Sequence, residues 1–390
     1  MQRKRHFYTY RIVKVLLGSI VKRYMRFRYG KIEKFSSPVL ILSNHNTDLD
    51  AALVGLASRT PLRFVATENV TRAGFASKAL KFVFDPIIKV KGKTDTAAAR
   101  AILRAFKAGE SVCLFAEGNR SYNGLTGPLA PGLGKLVKLS KVRLINYRIV
   151  GGFFAQPRWG NGFRKGPIVG EVAGDYSPEY LSGLTEDEIE KLIADDIHVD
   201  DYAEQENNKY RYKGKRPAEH IQTVLYICPK CNSIGTIRSE DSRFFCDCGL
   251  EGSYDSYGML SGNGFSFTNI RDWDAWQDAQ TAKLLSTENY IPIFSDEDVT
   301  CSLVTLGVSS EVLHTGKLAM YSDRLISGPS EFPFDSMQSL EIFSTCVLTF
   351  ADVEGNIYEL RSKKPYSALK YRRLYKAACK NKVSAFKKRS

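Results

Sequence analysis

The sequence has no apolar run approaching the length that crosses a bilayer, about 18 residues or more. A secretory leader is not expected either: the apolar stretch 12–21 is interrupted by Lys14, and no small-residue cleavage site follows. Low-complexity tracts and internal repeats are absent. Acid is missing from both ends. Residues 1–32 hold 10 Lys/Arg and no Asp or Glu, and residues 361–390 hold 12 and none. Between them 34 basic residues face all 42 acidic ones, so a net charge of +14 hides a mildly acidic body of net −8. Basic ends of that kind seek an anionic surface, membrane or nucleic acid. The eight cysteines form one tight cluster of four and four scattered singles. That excludes a disulfide framework and suits a reducing cytosol.

At 390 residues the chain has room for two or three domains. Placed on a helix at 100° per residue, residues 11–28 put Arg11, Lys14, Gly18, Lys22 and Arg26 on one face. Val13, Leu16, Leu17, Ile20, Tyr24 and Phe27 fall on the other. An ordinary helix docked on the body would show such a pattern. Without any acid it also describes a helix lying in a membrane interface, where each basic residue contributes roughly 1 kcal/mol.

From residue 37 onward apolar strands alternate with helices. Strands are expected at 37–42, 62–66, 86–90, 111–115 and 142–150, and helices at 49–58, 76–84, 94–108 and 132–140. This order predicts an α/β domain with a mostly parallel central sheet, flanked by helices, with sites at strand ends. Residues 184–222 read as a helical connector. After residue 255 short strands dominate and a basic helix at 367–380 closes the chain, the pattern of a small β-sandwich or barrel capped by that helix.

Two strand ends carry chemistry. The first strand runs into Ser43-Asn44-His45-Asn46-Thr47, with Asp50 five residues after the histidine. On one continuous helix that spacing is about 140°, so the two side chains meet only if His45 sits in the turn and Asp50 in the first turn of the helix. The pair then reads as a helix cap, or as a base and the carboxylate that orients it. About 70 residues later the strand at 111–115 ends in Phe115-Ala116-Glu117-Gly118-Asn119-Arg120-Ser121, a tight turn bearing a guanidinium suited to phosphate.

Together the two motifs resemble the glycerolipid acyltransferases, whose best-known members make phosphatidate from lysophosphatidate. Asn44-His45 to Asp50 corresponds to the family's N-H-x4-D block, and residues 115–121 to its F-P-E-G-T-R-S block. The resemblance covers about residues 35–180. It implies an acyltransferase at the cytoplasmic face of a membrane. The acyl donor would be a thioester of coenzyme A or acyl carrier protein, and the acceptor a lysophospholipid, 1-acyl-sn-glycerol-3-phosphate foremost, with another lysolipid or a glycolipid as the alternative. It also implies His45 as general base, Asp50 as its orienting carboxylate, Arg120 on the acceptor phosphate, and Glu117, Gly118 and Asn119 shaping the phosphate-binding turn. Neither a metal nor a covalent enzyme intermediate is needed. Ala116 and Asn119 stand where the family has Pro and Thr. The second block lacks its usual Lys before Glu68, which leaves Lys91 as a candidate phosphate ligand, and the fourth block lacks its Pro. These departures mark an outlying branch and leave the acceptor open.

Cys228-Pro229-Lys230-Cys231 and Cys246-Asp247-Cys248 are separated by 14 residues. Two such knuckles predict a zinc ribbon at 223–254, four thiolates on one structural Zn²⁺. Residues 255–390 resemble pleckstrin-homology and GRAM domains in pattern. A non-catalytic reading, a zinc ribbon binding nucleic acid, is disfavoured. Residues 226–252 carry Lys230, Arg238 and Arg243 against Glu240, Asp241, Asp247 and Glu251. The basic charge lies on the chain ends instead, and no nucleic-acid partner is expected.

Overall fold

The computed structural model describes residues 2–68, 85–89, 96–286, 290–305 and 309–387. The helix expected at 76–84 and the candidate Lys91 lie outside them. The chain forms two compact units, one holding most of residues 1–215 and the other mainly residues 216–390.

In the first unit helix α1 (Gln2–Tyr24) leads into β1 (Phe27–Tyr29). Then follow β2 (Val39–Ser43), α2 (Asp50–Ala57), β3 (Leu62–Thr67), β4 (Ile87–Lys89) and α3 (Thr96–Lys107). After β5 (Ser111–Phe115) come α4 (Leu133–Ser140), β6 (Arg143–Val150), α5 (Gly152–Ala155) and β7 (Ile168–Tyr176). Helices α6 (Pro178–Ser182), α7 (Glu186–Ile197) and α8 (Asp201–Asn208) complete it. The strands form one sheet in the order β1-β7-β6-β2-β5-β3-β4, parallel except where β7 returns beside β6. Strand β2 is buried at all five positions, the signature of a strand covered on both faces. On one face Leu40, Leu42, Val112 and Leu144 pack with Ile102 and Phe106 of α3, Leu136 and Val137 of α4, and Ile189, Ile193 and Ile197 of α7. The stretch read as a connector is therefore packed: α7 supplies core, entered through a capping box in which Thr185 and Glu188 bond reciprocally.

On the other face α1 rests on α2. Tyr10 donates its hydroxyl to Gly55 O at 2.8 Å, Lys14 donates to Ser58 O at 2.5 Å, and Gly18 is buried where a Cβ would come within 2.8 Å of Leu56. The side that looked basic thus supplies the inward contacts, through small or hydrogen-bonding residues. Outward stand Tyr8, Ile12, Val15, Leu16, Ile20 and Tyr24, a stripe at helical spacing with every member more than half exposed.

The second unit holds a four-stranded antiparallel sheet of β8 (Ile237–Glu240), β9 (Arg243–Cys246), β10 (Leu250–Tyr254) and β11 (Leu260–Asn263). Helix α9 (Ile270–Lys283) follows. A seven-stranded antiparallel sheet comes next, built from β12 (Phe294–Thr305), β13 (Ser309–Met320), β14 (Arg324–Ser327), β15 (Ser330–Pro333), β16 (Met337–Phe343), β17 (Val347–Asp352) and β18 (Ile357–Ser362). Its order, β15-β14-β13-β12-β18-β17-β16, separates β15 from β17 by four strands, yet the rings of Phe332 and Phe350 lie 4.9 Å apart. The sheet therefore curls on itself like a barrel. The closing helix α10 (Ala368–Lys387) presses Tyr371 edge-on against Phe294 and Tyr375 against Phe334. Its Arg373 makes a two-pronged ion pair, 2.6 and 2.8 Å, with the buried Asp274 of α9.

Candidate active site

The three loops that leave the carboxyl ends of β2, β5 and β6 converge. His45 stands in the turn after β2 and Asp50 is the first residue of α2, the arrangement their spacing demanded. Nδ1 of His45 lies 2.9 Å from Oδ2 of Asp50. The carboxylate is fully buried and saturated: Oδ2 also accepts the backbone N–H of Asn46 at 2.6 Å and of Thr47 at 2.9 Å, and Oδ1 accepts the Thr47 hydroxyl at 2.6 Å. With two N–H donors already on Oδ2, the carboxylate is an acceptor there, so Nδ1 carries the proton and Nε2 is left with its lone pair. The imidazole lies flat against Phe115 at 4.4 Å and keeps about a quarter of its surface exposed. It is held on one side and open to a small molecule on the other.

The turn after β5 is laced to the same loop. The carboxylate of Glu117 accepts the backbone N–H of His45 on one oxygen and of Gly127 on the other, both at 2.7 Å. Burial pushes its carboxyl up to about 8, and these two bonds hold it back from rising further. Gly118 adopts the left-handed backbone (φ +66°) that the tight turn requires. Ser121 donates its N–H to His45 O at 2.8 Å. Arg120 is the hub. Nε donates to Asn46 O at 2.9 Å, Nη2 to Gln156 O at 2.6 Å, and Nη1 meets the exposed carboxylate of Asp48 at 2.8 Å. Of these partners only Asp48 can swing away, so only Nη1 and the face it presents can be turned to a ligand. Asn119 sits between Gly118 and Arg120, half-buried.

Several residues on which the site depends were given no role of their own from the sequence. Asn44 bonds both ways with Ile149 at 2.8 Å, fixing the β2 loop to the end of β6. Asp201, buried at the start of α8, accepts from Gly151 N at 2.6 Å and Asn46 Nδ2 at 3.3 Å. Burial pushes its carboxyl up to about 7. Arg158 donates to Arg120 O at 2.9 Å and stacks on Tyr122 at 4.0 Å. Asp48 lies inside the first motif and was legible there as a charge. Asp201, 155 residues from Asn46, carried no local signal.

Residues 26–150 match the Acyltransferase family model. No curated protein matches the chain significantly. Among solved structures it is similar to the 1-acyl-sn-glycerophosphate acyltransferase PlsC of Thermotoga maritima, at 15% identity and a TM-score of 0.44. The likeness covers 53% of this chain and 83% of that one.

The four clustered cysteines lie in the second unit. The Sγ atoms of Cys228, Cys231, Cys246 and Cys248 are all within 4.8 Å of one another, with Cys228–Cys248 at 3.5 Å and Cys231–Cys246 at 3.9 Å. Four sulfurs at about 2.3 Å from one tetrahedral ion stand about 3.8 Å apart, so this set fits zinc. The two knuckles are shaped for it: Asn232 and Gly249, each just past a knuckle, adopt the left-handed conformation.

Proposed function

We propose that the chain transfers a fatty acyl group from a thioester, on coenzyme A or acyl carrier protein, to the free hydroxyl of a lysophospholipid. The foremost acceptor is 1-acyl-sn-glycerol-3-phosphate, giving phosphatidate. The observation that carries this reading is the half-open imidazole on a saturated, buried carboxylate, beside a guanidinium with one displaceable partner. Nε2 of His45 takes the proton of the acceptor hydroxyl as its oxygen attacks the thioester carbon. Asp50 keeps the ring in the tautomer that makes Nε2 the base, and stabilises the imidazolium that forms. The tetrahedral oxyanion collapses, the C–S bond breaks, and the proton on His45 passes to the departing thiolate. No side chain forms a bond to the acyl group. Arg120 holds the acceptor phosphate through Nη1 after Asp48 is displaced, and Glu117, Gly118 and Asn119 keep its turn in place.

The outward stripe on α1, with exposed Arg11, Lys22 and Arg23 around it, supports a peripheral place on the cytoplasmic face of a membrane. Cys228, Cys231, Cys246 and Cys248 would hold a structural zinc ion with no open coordination position. Residues 255–390 are assigned a pleckstrin-homology or GRAM-like role in lipid contact from the same pattern of strands and closing helix. The test is turnover of lysophosphatidate with acyl-CoA or acyl carrier protein by purified protein, alongside a panel of other lysolipids and glycolipids. Loss of product in His45→Ala supports the reading, and undiminished product contradicts it.

A further inference from the structure

The catalytic end of the sheet carries a second charged feature, all of one sign. A cleft of about 330 Å³ is lined, besides Pro167 and Tyr210, by Arg26, Lys165, Lys209, Arg211 and Lys213, with no acid lining it among the described residues. Its place follows from the strand register. Strand β7 begins at Ile168 beside Phe27 of β1, and Val169 pairs with Val150 at the end of β6. Arg26 and Lys165 therefore open on the same end of the sheet as His45, two to three strands away, or roughly 10–15 Å.

The cleft is built rather than incidental. Lys165 and Lys213 exchange both backbone hydrogen bonds, at 2.8 and 3.0 Å, as an antiparallel pair. That geometry sets two like charges directly opposite each other, an unfavourable arrangement that an anion relieves. Tyr212 locks the pair in place: it packs on Gly166, where a Cβ would meet its ring at 2.1 Å, and donates its hydroxyl to Pro167 O at 2.9 Å. Arg26 and Lys209 both adopt left-handed backbone, at φ +48° and +49°, a conformation that ordinary side chains avoid.

We propose that this cleft binds the phosphate of an anionic membrane lipid, at a position separate from Arg120. Its volume lies at the lower end of the range for small-molecule sites, room for a phosphate and a short alcohol rather than a dinucleotide. Arg26 follows directly on α1, whose exposed apolar stripe ends at Tyr24. The ring of Tyr24 packs at 5.3 Å on Phe163, two residues before Lys165. Apolar stripe, aromatic pair and cationic cleft follow one another in the order of a leaflet, from acyl region to phosphate. Lys165, Lys209, Arg211 and Lys213 lie beyond the residues that match the acyltransferase model, and Arg26 is the first residue of the match.

The inference rests on the membrane reading of α1, and its test reads vesicle binding first, which needs no turnover. Full-length protein is sedimented with phosphatidylcholine vesicles, with and without added phosphatidylglycerol. Lys165→Gln/Lys213→Gln is expected to lose roughly 10- to 30-fold in affinity for the anionic vesicles and nothing for the neutral ones. Lys165→Arg/Lys213→Arg keeps binding, and so does Lys107→Gln/Lys135→Gln, which removes equal charge elsewhere. An equal loss in that last variant reduces the effect to net charge and overturns the proposal. A raised KM for the acyl thioester with vesicle binding intact assigns the cleft to the donor's phosphates and overturns it too. Unchanged binding in every variant does the same.

Discussion

Replacing Asp50 by Asn keeps the shape of the side chain and removes its charge, and its consequences can be worked from the geometry. The carboxylate accepts four donors: Nδ1–H of His45, two backbone N–H groups and the Thr47 hydroxyl. The asparagine carbonyl can take the place of Oδ2 and keep the first three. Its NH₂ then faces the Thr47 oxygen, which can accept. Each bond falls from charge-assisted to neutral, a loss of about 1 kcal/mol apiece, offset in part because no buried charge remains. The fold should survive with a stability loss of about 1–3 kcal/mol. Asp50→Ala instead orphans two backbone N–H groups and a hydroxyl at a fully buried position, at about 1–3 kcal/mol each, and should open the turn. Activity behaves differently. With a neutral amide the proton on Nδ1 is no longer favoured and the imidazolium loses its counter-charge, so kcat should fall roughly 10²- to 10⁴-fold with KM little changed. The assay is steady-state turnover of lysophosphatidate by wild type, Asp50→Asn, His45→Ala and the double variant. Two groups acting as a unit give a double variant hardly worse than His45→Ala alone. Full additivity, or an Asp50→Asn enzyme with wild-type kcat, refutes the reasoning.

Three further outcomes are expected. In Asp48→Asn the guanidinium of Arg120 loses its exposed counter-charge, a pair worth about 1 kcal/mol, so KM for a phosphate-bearing acceptor should fall up to about fivefold at constant kcat. An unchanged or higher KM places the acceptor phosphate elsewhere. The Glu117 carboxyl, raised to about 8 from 4.5, gives the folded state an extra proton between those values. Its contribution to stability is therefore full below about pH 4.5 and is lost as pH rises to about 8, with a slope near 1.4 kcal/mol per unit. In urea unfolding across that window the wild type should lose stability relative to Glu117→Gln as pH rises, because the glutamine does not titrate, and parallel curves contradict the assignment. Elemental analysis should find close to one zinc per chain, lost in Cys231→Ser, and a chelator should lower the melting temperature of the second unit. A metal-free chain with the same melting temperature contradicts it.

Much of the first unit was legible because apolar runs there stop at residues with strong turn chemistry. Strand β5 and its Glu-Gly-Asn-Arg turn stand at the positions read from the sequence, and the five-residue spacing of His45 and Asp50 stated its own geometric condition. Strand β7 was not legible. It reads Ile-Val-Gly-Glu-Val-Ala-Gly-Asp-Tyr, and its glycines argue against a strand. They are there because neighbours need the space: a Cβ at Gly170 would meet Tyr147 at 2.4 Å. Helix α9 was missed because, after Ile270 and Trp273, its buried face turns polar, with Asp274, Gln277 and Thr281 paired to Arg373, Val224 and Tyr226. Two apolar residues in the first turn do not make the sustained periodicity that marks a helix. The N-terminal helix was extended to residue 28, whereas it ends at Tyr24 and left-handed Arg26 turns the chain into β1. Which of its faces would point inward depended on α2, a partner that the helix's own pattern does not name.

The most direct test of the account is a paired turnover measurement. Wild type and His45→Ala are compared, at equal stability, for conversion of lysophosphatidate and an acyl thioester to phosphatidate, with product identified by mass spectrometry. The account predicts phosphatidate from the wild type and a loss of at least about 100-fold in the variant. Phosphatidate formed at the same rate by both would contradict it.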